Sequence, residues 1–193
     1  PIAALLEQSG KGLELRVERG EVVLDPVLVH RAVREGHVIA NHTYSHQRLY
    51  KLTWDALSQE VNKTADIIAR FTRSNPRLLR PPWGMYSLRV CRFAQQQGYH
   101  IVLWTVCAES RDAPTPQAMA QRVIAKARPG GIILAHDGSS GEKIDRLRTV
   151  QALPMILEGL QKKGYRFVTV PDLLRAGAAD NKGLCTQPKR SRI

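Results

Sequence analysis

The chain has no apolar run long enough to cross a bilayer, which takes about 20 residues. Gly131-Ile132-Ile133-Leu134-Ala135 is among its longest, so no membrane span is expected. Cysteine is scarce: Cys91, Cys107 and Cys185 are the only 3 in 193 residues, and no two form a C-x-x-C pair. That spacing argues against a structural zinc cluster and does not require a disulfide framework. Aromatic residues make up 6% of the chain, and no strand-like segment combines them with basic residues as an RNA-binding sheet does. Internal repeats are absent. Acidic residues are few, 17 against 29 Lys+Arg, for a formal charge of +12. Such an excess favours an anionic neighbour, nucleic acid or a cell envelope. The basic residues are spread along helix-like segments, however, so most of the charge reads as solvated surface and nucleic acid is not the expected partner. An opening methionine is missing too. The chain starts at Pro1 and passes into a helix-like run, Ile2-Ala3-Ala4-Leu5-Leu6. It reads as a piece whose beginning, with any targeting segment, lies upstream. Localisation and oligomeric state have no signal in these residues.

What is present suits one soluble domain: 193 residues, 43% of them hydrophobic, are enough for a sizeable core. Strand and helix signals alternate. Asp25-Pro26 reads as an N-cap with Pro at the first helical position, and Gly36 closes that helix. Residues 37–41 read as a short strand. Thr53 caps a long helix to about Phe71, with Leu57, Val61, Ala65 and Ile68 on one face. Residues 77–80 form a strand stopped by Pro81-Pro82, and Ser87 caps a helix ending at Gly98. Residues 100–106 read as one apolar, β-branched strand. Thr115-Pro116 opens the next helix, residues 132–136 a buried strand, residues 147–163 a helix and residues 166–170 a last strand. Repeated strand–helix units with short loops imply a parallel sheet covered by helices. Residues 1–175 form the domain, and 176–193, small, polar and basic, are expected to be a disordered tail.

Four clusters that could do chemistry each follow the carboxyl end of an expected strand: His42/His46, Arg80 to Gly84, Cys107 to Asp112, and His136-Asp137. Active sites of α/β barrels and open α/β sheets lie at that edge. His42 and His46, four residues apart, could hold a divalent metal through neutral imidazoles, or could be a chance pair on a solvated face. Arg80-Pro81-Pro82-Trp83-Gly84 joins a fixed cation to a stiff turn, either a carboxylate clamp or an ordinary strand-to-helix loop. His136 ends a buried strand and suits a general acid or a capping role. Trp104 and Asp112 flank the remaining cluster, and Asp112 could orient His136 or simply precede Pro114 in a loop.

Together the clusters resemble the polysaccharide deacetylase family, the NodB-homology domain of the family-four carbohydrate esterases, over residues 27–174. His42-Thr43-x-x-His46 is similar to its metal-binding HTxxH, and Gly36-His37-x-Ile39-x-Asn41 to the run before it. Arg80-x-Pro82-x-Gly84 is similar to RPPxG, with Trp83 where Tyr is usual, and Leu134-x-His136 to the closing LxH. The resemblance implies an irregular (β/α) barrel of fewer than eight units. It also implies a zinc-dependent (or other divalent-metal) hydrolase that removes N-acetyl or O-acetyl groups from a polysaccharide such as peptidoglycan or chitin, in the cell envelope or secreted. His42 and His46 would be metal ligands. His136, Arg80 and Asp112 would be catalytic, and Trp83, Gly84, Leu134 and Trp104 would meet the substrate. Besides Trp83, the chain departs from the family pattern in four places. The family's first strand, with its paired aspartates serving as base and third metal ligand, is not in this sequence. Residues 13–19 are charged where an apolar, Phe-rich strand is usual. Cys107 stands where an aspartate is expected, and Ala113 follows Asp112 in place of Trp. Asp112 or Asp137 could substitute as a ligand. The alternative that follows is a non-catalytic carbohydrate-binding member of the family.

Overall fold

The helix signals of the sequence become helices with the expected ends. In the computed structural model, which describes residues 2–4, 16–18, 21–23, 26–72, 77–136 and 146–180, α1 spans Pro26–Arg34 and is followed by Gly36 in a left-handed conformation (φ +87°). Helix α2 spans Trp54–Phe71, and the Thr53 hydroxyl accepts from the Ala56 N–H, filling one of the unpaired donors of the first turn. Leu57, Val61 and Ile68 are buried along its inner face, with Ala65 half-buried beside them. Helix α3 spans Leu88–Gln96. Ser87 stands at its N-cap position, but its buried hydroxyl has no hydrogen-bond partner among the described residues. Thr115 caps α4, Pro116–Lys126, through the Ala118 N–H. Helix α5 spans Leu147–Lys162, and α6 spans Val170–Asp180. The expected tail from residue 176 therefore begins inside a helix, and residues 181–193 lie outside the described part. None of the described helices is long and apolar enough to cross a membrane.

The strands are short and parallel where they carry the fold. Strands β6 (Val106–Cys107), β7 (Ile132–Leu134), β1 (Ile2–Ala4) and β8 (Phe167–Val168) lie side by side in that order. Every pairing among them is parallel. A second parallel pair, β4 (Leu78–Leu79) with β5 (His100–Ile101), is extended by a single bridge from Asn41 to Leu79. With α2 to α5 joining successive strands, the result is an α/β arrangement of incomplete-barrel type.

Residues 2–4 are a strand, not the start of a helix; a short apolar run fits either, and parallel neighbours on both sides decide it. Of the charged segment that stands where the family has a Phe-rich strand, the described residues 16–18 lie apart from the parallel sheet. They form β2 (Arg16–Glu18), which pairs with β3 (Glu21–Val23) in a separate antiparallel hairpin. Residues 100–106 are two strands, because the chain leaves β4 and joins β7 within that run. Thr105 makes the transfer, donating its N–H to the Ile132 carbonyl (2.7 Å) and accepting the Ile132 N–H on its hydroxyl (3.1 Å).

Residues 37–41 do not form the expected strand; only Asn41 pairs. Its backbone accepts from Arg80 N–H (2.9 Å) and donates to the Leu78 carbonyl (3.0 Å). Its side chain, 2% exposed, donates to the Val61 carbonyl on α2 (2.8 Å) and accepts from the Thr43 N–H (2.9 Å). One buried amide thus joins strand, helix and the loop that follows. Replacing Asn41 by Ala strands those buried backbone groups, and a loss of about 1–3 kcal/mol is expected in denaturant unfolding. A change within a few tenths of a kcal/mol would contradict this role.

Candidate active site

The loop after Asn41 is not helical, yet it brings His42 and His46 together. Thr43 and His46 both take left-handed backbone angles (φ 74° and 56°). Glu60 of α2 accepts from both the Ser45 N–H (2.9 Å) and hydroxyl (2.6 Å). The Glu60 carbonyl accepts the Tyr44 N–H (3.2 Å). So held, the two imidazoles stand edge to face, with ring centroids 5.0 Å apart.

His42 Nδ1 lies 2.6 Å from the Arg80 carbonyl. A carbonyl only accepts, so Nδ1 carries the proton and Nε2 keeps its lone pair. Burial pushes the His42 pKa down to about 4; the hydrogen bond to Arg80 opposes this, and the charges of His46, Arg80 and His136 add to it. Burial and His136 also lower His46. Both rings are therefore neutral at pH 7, the form that binds a metal. This donor set fits two of the imidazole ligands of an open zinc site, each ring fixed by protein around it. No third His, Cys or carboxylate among the described residues groups with the pair.

Arg80 presents its carbonyl to His42, while its guanidinium, lowered in pKa by burial, holds two buried donors, Nε and Nη2, with no partner among the described residues. The next turn, Pro82–Gly84, puts Trp83 at φ 55° and leaves its side chain 51% exposed. That indole packs on His46 (centroids 4.5 Å apart), with the Arg48 guanidinium 5.4 Å from the ring centre. Gly84 is required twice over. Its φ is +69°, and a Cβ there would stand 2.7 Å from the Trp104 ring. Trp104 thus serves as the floor of this turn. The described non-glycine residues at positive φ are Thr43, His46 and Trp83, so the backbone strain gathers at this one place.

Leu134, buried, ends β7, and His136 follows at the rim. The carboxylate on His136 is Glu109, not Asp112. Glu109 accepts the His136 backbone N–H (2.8 Å) and lies 3.1 Å from Nδ1. It also accepts the Thr149 hydroxyl of α5 (2.9 Å) and the Cys107 thiol (3.3 Å). Burial raises the Glu109 carboxyl, but the His136 hydrogen bonds outweigh it and hold the pKa at about 2. Asp112 points away, exposed, and pairs with Arg122 (2.7 Å). The signal for Glu109 was its spacing: two residues beyond Cys107 on an extended segment, side chains share a face. Asp137 lies outside the described residues.

The depressed His42 pKa has a consequence for stability. An unfolded imidazole takes its proton near 6.5, while His42 waits until about 4. Between those values the unfolded state binds more protons, so stability rises with pH and is lost as pH falls through the window. His42→Gln, which does not titrate, is expected to lose less stability than wild type between pH 6.5 and 4 in parallel denaturant titrations. Identical losses would contradict the assignment.

The family model for polysaccharide deacetylases matches residues 10–102. A peptidoglycan-N-acetylglucosamine deacetylase of Bacillus cereus is 37% identical over 153 residues, covering 78% of this chain and 70% of that protein. The crystal structure of the Bc1960 peptidoglycan N-acetylglucosamine deacetylase, bound to a naphthalenyl N-oxidanyl-benzamide, superposes with a TM-score of 0.70 at 34% identity, over 77% of this chain and 68% of that one. A CE4 family pseudoenzyme from Bacillus anthracis superposes at 0.68 with 27% identity, over 78% of this chain and 50% of its own, and its variant with restored enzymatic activity does so equally well. With this identity and coverage, the chain belongs to the polysaccharide deacetylase family, the NodB-homology, family-four carbohydrate esterases.

Proposed function

We propose that this chain carries the metal-binding and proton-donating side of a deacetylase acting on the N-acetyl groups of an anionic or neutral cell-wall polysaccharide, peptidoglycan first. The observation that supports it is the juxtaposition of two neutral imidazoles with a buried guanidinium whose Nε and Nη2 lack a partner among the described residues. A buried, unsatisfied arginine is costly, and a bidentate carboxylate is its natural complement. Such a carboxylate would stand beside the imidazole pair, where a catalytic base is wanted.

His42 and His46 would hold the divalent metal through nitrogen, and a metal there polarises an acyl carbonyl and lowers the pKa of bound water. His136 is the general acid. Glu109, ionised, keeps a proton on Nδ1 and balances the imidazolium charge, so the proton on Nε2 is the one passed to the leaving amine. Leu134 lines the acetyl pocket and Trp83 walls the sugar side, excluding water around His46. Arg80 orients the base.

A second reading has its own support. With no carboxylate on Arg80 among the described residues, and a pseudoenzyme of the same fold among the neighbours, the domain could bind glycan without cleaving it. Acetate release from N-acetylglucosamine oligomers, with divalent metal supplied, separates the two. Formate, small enough to seat on Arg80, is expected to raise the rate in wild type and not in Arg80→Leu. Oligosaccharide binding without acetate, with or without formate, would leave the binding reading standing. Glu109→Gln is expected to lower kcat by about 10–100-fold, as loss of an outer partner of a functional imidazole does, with glycan affinity unchanged. An unchanged kcat would remove Glu109 from the mechanism.

A further inference from the structure

The carboxylate on His136 has a second neighbour that the deacetylation chemistry does not use. Cys107 Sγ, Glu109 and one ring nitrogen of His136 offer ligand atoms all within 4.8 Å of one another. Two donors converge on a single oxygen, Glu109 Oε2: the thiol at 3.3 Å and His136 Nδ1 at 3.1 Å. The other oxygen, Oε1, is fixed from outside by the Thr149 hydroxyl (2.9 Å) and the His136 N–H (2.8 Å). The Cys107 carbonyl is held by Arg122 Nε at 3.3 Å. The three side chains are therefore positioned by α4, α5 and two adjacent parallel strands before any ligand arrives.

We propose that Cys107, Glu109 and His136 form a binding site for a soft, thiophilic divalent cation, separate from the His42/His46 pair. Thiolate, carboxylate and imidazole are ligand types of tetrahedral zinc-like sites, whose bonds of about 2.0–2.3 Å put ligand atoms about 3–4 Å apart. The spacings to Oε2 already fall there. The thiolate selects for a soft ion. Charge closes as well: one thiolate and one carboxylate neutralise a dication, which suits a half-buried place. Binding replaces protons in a balanced way. The Cys107 S–H proton leaves to solvent as the sulfur–metal bond forms. The imidazole stays neutral, its proton moving from Nδ1 to Nε2 so that the Nδ1 lone pair meets the cation. A fourth position stays open to water.

One consequence rests on the function proposed above: a cation on Nδ1 leaves His136 unable to take and deliver a second proton, so thiophilic ions acting here would inhibit deacetylation.

The test needs no activity and so stands or falls apart from that function. Cadmium is titrated into the full chain carrying Cys91→Ser and Cys185→Ser, and the ultraviolet thiolate-to-cadmium charge-transfer band is followed together with proton release. A saturating band is expected, with one proton released per cation bound at Cys107, while cations taken by the neutral His42/His46 imidazoles release none. Adding Cys107→Ser should abolish the band and weaken binding by more than the ~10–100-fold typical of an outer partner. Cys107→Asp should bind cadmium without the band, which shows that the fold is intact. His42→Ala should leave the band unchanged. A band that survives Cys107→Ser, fails to form in the parent protein, or disappears with His42→Ala would overturn the proposal.

Discussion

The hydrogen bond between His42 Nδ1 and the Arg80 carbonyl, 2.6 Å long, ties together the two loops from which the site is built. It depends on the pairing just below it, where the Asn41 backbone bridges Leu78 and Arg80. Because the acceptor is a backbone carbonyl, the bond dictates the His42 tautomer and leaves Nε2 as the unprotonated nitrogen. The same residue then carries the guanidinium into the site. One short contact between neighbouring strand ends thus sets a ligand's tautomer, its orientation and the placement of the cation beside it.

Around that bond the backbone is strained and the electrostatics are unbalanced. Thr43, His46 and Trp83 sit at positive φ, and non-glycine residues there persist only where the surroundings over-determine them. Here Glu60, Asn41 and Trp104 do so. The site is also rich in positive or potentially positive groups: burial lowers His42, His46 and Arg80, and the neighbouring charges of His46, Arg80 and His136 lower His42 further. Glu109 answers this charge on the His136 side. On the Arg80 side the matching negative group is absent from the described residues, and that asymmetry shapes the functional reading more than any single motif.

Much of this was legible before the structure. Thr53 and Thr115 announce their helices because capping is local chemistry, and Leu57, Val61 and Ile68 mark the buried face of α2 by spacing alone. The convergence of His42, Arg80 and His136 follows from parallel topology, which places every strand's carboxyl end on one rim. What escaped depends on partners distant in sequence. Residues 2–4 become a strand only between β7 and β8. Residues 100–106 split because the chain changes neighbours at Thr105. Glu109 takes His136 in place of Asp112 because β6 and β7 are adjacent, while Asp112 lies one turn further out within reach of Arg122. Trp104 beneath Gly84 has no local signal at all; only the missing Cβ permits it.

The account stands on His42 being a neutral ring with its proton on Nδ1 and a free Nε2 facing the site. Nitrogen NMR of the histidine-labelled chain at neutral pH reads this directly. The account predicts a protonated, hydrogen-bonded Nδ1 and a bare Nε2 for His42, with Nε2 taking up its proton only near pH 4. A ring carrying its proton on Nε2, or an imidazolium at neutral pH, would contradict it.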